Sequence, residues 1–404
     1  MQQLRLTRLA LLVTALVALS SCGEPDVVFS DPEPWKPLVP YPGIGAGKLM
    51  VTNSADDTVS IFEAATLDPV ARIAVGQSAV EVEGPHHVTA HPGAPYYFVG
   101  LSMKPPAGTG GGPHGSHGAG NVDGYVLKLR AADNAVLGVL RVDRNPGDLR
   151  LTPDGKTLLV SHFDLLRVTE VAARGGTVRE MDSRLAVIDA ESFTKRGLFP
   201  VCPAAHGIAV SPDGKRVYLS CYATDELAVV ALDDSLFPVT RLRLGATETV
   251  PPSPPLFGPY AISVSPADGT LWVSGLEGQG VRVVDPTSGT VLPRGINLAP
   301  GPMLFGAFNA DGSRFYVPQQ GQDVIVELDT TTPAATVVRR IPVPAPDCGS
   351  PHAVKLFSPT SLVVVCEGDR IAPGSLALVD LVAGAVTRTV RTGIYPDDIA
   401  AVTP

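Results

Sequence analysis

The chain has 404 residues, 45 % hydrophobic and 18 % charged, which provides for a large core and excludes a disordered polyelectrolyte. Its 41 glycines and 39 prolines suit a fold of many short strands and turns rather than long helices. A formal net charge of −9, with no long Lys/Arg run, excludes nucleic acid as a general partner.

Residues 1–21 read as a targeting signal. A basic start, MQQLRLTR, precedes the 11-residue apolar run LALLVTALVAL, which is too short to span a bilayer. Removing the segment takes away Arg5 and Arg8 and leaves a charge of about −11. The run ends in Leu19-Ser-Ser-Cys22, which resembles a bacterial lipobox. That resemblance implies acylation of Cys22 and a lipid anchor in the cell envelope. Gly23 rather than Asp after the cysteine implies the outer membrane of a Gram-negative cell, on the periplasmic or the surface side. Residues 22–42 hold six prolines and no periodicity, and read as an extended tether.

From residue 43 to 404 one pattern recurs. The turn-like segments AHPGAPYY at 90, TPDGKTLL at 152, SPDGKRVY at 211, SPADGTLW at 265, NADGSRFY at 309 and FSPTSLVV at 357 each separate two β-patterned runs. A polar break, a third strand such as ELAVVAL, and a fourth such as VTRLRLG complete each unit. Units start near residues 84, 146, 204, 258, 301 and 350. The segment from Lys48 supplies three strands without the first, and YPDDIAAVT near the C-terminus supplies the missing one. Together they predict an all-β fold: a seven-bladed propeller closed by pairing 395–402 with 48–53. The stretch MVTNSADDTVSIFEAATLDPVARIAVG, with the SPDG turns, also resembles the YVTN β-propeller repeat family over residues 43–404. That resemblance implies the same ring and leaves the task open.

Of five cysteines, Cys22 is assigned to the lipid, and four remain in an oxidising compartment. Their three possible pairings narrow through a repeated frame, VCPAAHGIAV…YLSC and DCGSPHAVKL…VVVC, which favours Cys202–Cys221 and Cys348–Cys366. In each frame a histidine stands four residues after the first cysteine.

His86, His206 and His352 each begin an innermost strand, where a side chain can face the central channel. Asp148, Tyr260 and Phe305 stand at comparable starts, with Asp397 and Asp398 at the terminal strand. A His/Asp/Tyr ring at one channel mouth predicts a site for a divalent metal or a polar ligand, formed by His86, His206, His352, Asp148, Asp398 and Tyr260. His87, His114, His117 and His162 are secondary candidates on the same face. That face also carries the long segments 103–121, 163–183 and 245–259 and the short 367–375, which mark a working surface.

No catalytic motif is present: G-x-S-x-G, H-E-x-x-H, C-x-x-C and a phosphate loop are all absent. The first reading is therefore a non-enzymatic scaffold presenting its loop-rich face to an envelope protein, peptide or small ligand. The second is a metal-binding or hydrolytic propeller, because GPHHVTAHP at 84–92 resembles the inner strands of propeller lactonases.

Overall fold

A computed structural model describes residues 27–29, 47–76, 82–103, 117–278, 280–298 and 301–402. The expected signal segment, Cys22, most of the expected tether and His114 lie outside the described residues. Seven antiparallel sheets of four strands form the ring. In blade 1 the order from the axis outward is Pro396–Val402, Lys48–Asn53, Thr58–Glu63 and Pro69–Ala74. Val402 pairs with Lys48 and Pro396 with Asn53, so the expected closure is the observed one. The innermost strands of blades 2 to 7 are Pro85–Ala90, Pro146–Leu151, Ala205–Val210, Pro259–Val264, Ala307–Phe308 and Pro351–Ser358. Part of the tether, Val27–Phe29, pairs antiparallel with Val136–Arg144 and adds a fifth strand to the outer edge of blade 2.

Alternation decides where the core sits. Successive strand residues point to opposite faces, and both faces of each blade meet a neighbour. Met50, Val59 and Ile61 of blade 1 thus pack against Tyr97, Val99 and Leu127 of blade 2. Each such side chain, fully withdrawn from water, contributes roughly 1.5–3 kcal/mol.

Polar fasteners set the rotation between blades. Second-strand hydroxyls reach the innermost strand of the next blade: Thr52 Oγ1 donates to the His86 carbonyl at 2.7 Å, Ser220 Oγ to that of Tyr260 at 2.9 Å, and Ser161 Oγ to that of His206. A second device uses aspartates in the left-handed conformation. Asp57, Asp225 and Asp323 have φ of 54°, 53° and 48°, a region that Asp tolerates better than most residues. Their carboxylates accept backbone amides of the chain entering the next blade, at Glu83 and Gly84, at Phe257 and Gly258, and at Ser350.

Both expected disulfides are present, with Cα atoms 5.7 Å apart for Cys202–Cys221 and 5.0 Å for Cys348–Cys366. Cys202 lies in Thr194–Pro203, the outermost strand of blade 3, and Cys221 closes the second strand of blade 4. That bridge therefore ties two blades together.

The 163–183 segment is not an open loop. Leu165–Ala173 is a helix capped by Asp164, whose carboxylate accepts from the Arg167 amide at 2.9 Å. Val168 and Val171, with Met181 of the following 3-10 turn, join a buried cluster containing Phe163, Tyr260 and Phe305. The insertion is thus packed onto the residues at one end of the channel.

Candidate metal centre at the channel mouth

Each innermost strand brings two consecutive residues to the axis, making two stacked rings. Aligned on the strand starts, and in blade 6 on the segment just before its strand, where Phe305 bridges to blade 7, the first ring holds Asp397, His86, Gly147, His206, Tyr260, Phe305 and His352. The second holds Asp398, His87, Asp148, Gly207, Ala261, Gly306 and Ala353. The sequence pattern puts Asp148 level with His86 and leaves Asp397 and Asp398 together at the terminal strand. In the structure Asp397 is level with His86, and Asp148 and Asp398 lie one residue further on, because Pro146 and Pro396 align with Pro85. A one-residue slip moves a side chain to the neighbouring layer.

Three titratable clusters result, each with potential ligand atoms within 4.8 Å of one another. The first is His86, His117 and His206, all buried to 1 % exposure or less. His86 stacks on His117 with centroids 3.9 Å apart, and His206 meets His117 edge-on at 5.0 Å. Nδ1 of His86 lies 3.2 Å from the Gly147 carbonyl, and Nδ1 of His206 lies 3.2 Å from the Tyr260 carbonyl. A carbonyl can only accept, so Nδ1 carries a proton in both rings, which in the neutral imidazole leaves the lone pair on Nε2. Nδ1 of His117 lies 3.2 Å from the Tyr260 hydroxyl. Burial first, then the charges of Asp397, Glu367 and Asp148, with Tyr395, holds that hydroxyl well above the usual tyrosine range, so it stays neutral. The tyrosine ring also stacks on His206 at 3.7 Å.

Local sequence explains the fit. Gly147 leaves room for a neighbour: a Cβ there would lie 3.0 Å from Ser161 Oγ and 3.3 Å from the His206 ring. His117 is fixed from above, since the Leu166 amide of the capping helix donates to the Gly118 carbonyl and Phe163 packs 4.9 Å from the His117 ring.

The second cluster is His87, Asp148 and Asp398. His87 Nδ1 lies 3.2 Å from Asp148 and 3.1 Å from Asp398. Both carboxylates also tie blades together: Asp148 accepts from the Ile208 amide at 2.8 Å and Asp398 from the Val88 amide at 3.3 Å. Arg150 lies 3.1 Å from Asp148 and 3.6 Å from Asp398. Burial alone would raise the Asp398 carboxyl, but His87, Arg150 and Lys355 outweigh it and hold the group well below the usual carboxylate range. The third cluster pairs His352 with Glu367 at 2.6 Å and Asp397 at 3.5 Å. Glu367 also binds Gln320 and Arg370. Desolvation opposes protonation of His352, yet Glu367, Asp397 and Asp398 raise its pKa above the ordinary histidine value.

His86, His206 and His352 therefore do not share one point. His86 and His206 converge with His117, while His352, in blade 7, belongs to the cluster with Glu367 and Asp397. His162 joins neither: Nδ1 faces the Arg184 carbonyl and Nε2 accepts from the Asp143 amide at 3.1 Å, so both ring nitrogens are occupied by backbone. Glu367 was not foreseen, although it directly follows Cys366 at the same channel end. Among the described contacts, the imidazoles of the first cluster meet neutral partners, a carbonyl or a tyrosine hydroxyl. In the other two, carboxylates are already matched by cations.

Comparison with known proteins supports the fold. No protein-family model matches the chain, and no curated protein does. Among solved structures, the periplasmic gluconolactonase PpgL of Pseudomonas aeruginosa superposes with TM-score 0.59 at 19 % identity, covering 89 % of this chain and 100 % of that one. Kuenenia stuttgartiensis hydrazine synthase gives TM-score 0.58 at 17 % identity over 81 % and 92 %. The dihydro-heme d1 dehydrogenase NirN gives 0.54 at 16 % identity, over 86 % of this chain and 64 % of that one. The chain is a seven-bladed β-propeller.

Proposed function

We propose that this is a lipid-anchored, YVTN-type propeller of the bacterial envelope that binds a divalent transition-metal ion through His86, His117 and His206. One observation carries the reading. Three buried imidazoles present ligand atoms within 4.8 Å of one another, and backbone carbonyls fix Nδ1–H on His86 and His206. An imidazole that donates one N–H to a carbonyl and offers the other nitrogen is the usual arrangement around a metal. Three nitrogens suit Zn, Cu, Ni or Co, whereas Mg and Ca prefer oxygen. Nitrogen–metal distances of about 2.0–2.1 Å require the rings to draw inward slightly on binding. A three-histidine set leaves a fourth position for water or a ligand group, which is the form that supports hydrolysis as well as capture. The expected scaffold role rests on the tether, the rigid ring and the lack of a catalytic motif, and of its loop-rich face the 163–183 segment is used to cover the mouth.

The test is metal analysis of the purified full-length chain, followed by titration with Zn, Cu, Ni and Co ions. One equivalent should bind to wild type and to His91→Ala, whose residue lies in a turn at the opposite face. It should be lost in His117→Ala, whose ring belongs to an entering loop rather than a strand. Binding at 100-fold excess over Kd should stabilise the fold by about 2.7 kcal/mol. Uptake below about one-tenth of an equivalent, with no shift in melting, would refute the metal site. Turnover of a lactone panel by the loaded protein separates a hydrolase from a metal-binding protein.

A further inference from the structure

The other end of the channel holds a different chemistry. A cavity of about 490 Å³ opens there, walled by Leu49, Val88, Phe357, Val363 and Ile399. Two cations line it, Arg150 and Lys355. Behind them Asp148 and Asp398 are buried to 1 % exposure or less, and both are spanned by Arg150 and His87. Lys355 has no carboxylate within salt-bridge distance among the described residues. The cavity therefore meets a visitor with an ammonium and a guanidinium in front, apolar walls around, and carboxylates satisfied from behind. Its volume falls in the range of small-molecule sites. Burial first, and Arg150 second, lower the Lys355 pKa, against the pull of Asp398 and Asp148 from beyond salt-bridge distance.

We propose that this cavity binds a small organic monocarboxylate with an apolar body, its carboxylate on Lys355 and Arg150 and its chain against Phe357 and Val88. An anion gives the ammonium a direct ionic partner, which Asp148 and Asp398 supply only from beyond salt-bridge distance, and the walls are too apolar for a highly hydroxylated ligand. The site is independent of the three-histidine cluster, which lies beyond the Asp148–Asp398 layer.

Isothermal titration of the full-length, metal-free protein with octanoate, and with octanamide as the neutral control, tests the assignment. Octanoate should bind once per chain, with a Kd at or below about 1 mM. Octanamide should bind at least about 10-fold more weakly, because a charge-assisted hydrogen bond is lost. Lys355→Met keeps the side-chain length and should weaken octanoate about 10- to 100-fold while leaving octanamide unchanged. Absence of saturable octanoate binding, or equal binding of the two probes to wild type, overturns the proposal. The comparison of probes on wild type stands even if the variant fails to fold. Zinc uptake measured in parallel reports the metal site separately, so either can fail alone.

Discussion

Asp398 sits where closure, blade packing and the axial charges meet, and its substitution by Asn tests all three. Its carboxylate accepts from the Val88 amide, faces His87 at 3.1 Å and Arg150 at 3.6 Å, and lies in the strand that closes the ring. Asn keeps the shape but removes the charge. Arg150 and Lys355 would then face a single carboxylate, Asp148. Removing one partner of a buried ion pair costs about 3–5 kcal/mol. For a ring of this size, with a urea slope near 3 kcal/mol/M, the midpoint should fall by about 1 M or more. A double-mutant cycle with His87→Ala should return a coupling of at least about 1 kcal/mol. The pH dependence adds a signed check. Because the folded pKa of Asp398 is depressed, its contribution is fully present above the unfolded value of about 3.9 and is lost as pH falls towards the folded one. The gap between wild type and Asp398→Asn should stay flat from about pH 8 to 5 and narrow only below about pH 4. A loss under about 1 kcal/mol at neutral pH, or a gap that widens in acid, would refute this account of the axis.

Other outcomes follow from the same structure. Gly207→Ala would place a Cβ 2.4 Å from the Tyr260 carbonyl, the acceptor of His206 Nδ1, and should abolish zinc uptake while lowering the urea midpoint. Replacing Cys202 and Cys221 together by Ala should cost about 2–4 kcal/mol in urea unfolding, and dithiothreitol should have no further effect at that bridge. His162 is buried and its pKa is lowered, chiefly by desolvation and against the pull of Asp143, so the fold favours its neutral form. Stability should therefore fall as pH drops below the unfolded histidine value of about 6.5, and His162→Gln should flatten that decline in urea midpoints between pH 7 and 5.

The blades were legible because each repeats a turn and an alternating strand, and because two half-patterns at the ends of residues 48–402 complete one another. The disulfide pairings were legible as well, since a frame with equal spacing sets one cysteine where the chain enters a hairpin and the other at its end, although Cys202 proves to belong to the last strand of the preceding blade. What the alternation could not show is how strands from different blades align around the axis. Asp148 follows Gly147, and that glycine, carrying no side chain, concealed which of the two residues matches His86. Glu367 was missed for the same reason, as its meeting with His352 and Asp397 joins two blades. Arg150 and Lys355 read as ordinary polar positions in strands. The helix at Leu165–Ala173 did carry a signal in Asp164 and the spacing of Leu165, Val168 and Val171, but mixed charge concealed it.

Strand 396–402 also governs when the molecule can come into being. Its partners at 48–53 precede it by nearly the whole polypeptide, and bringing such distant segments together costs about 5 kcal/mol of chain entropy. During synthesis, blade 1 exposes the bare edge of Lys48–Asn53 until residues 396–402 emerge from the ribosome. A nascent chain with that edge vacant stays unlatched, and the ring can lock only when its last strand arrives.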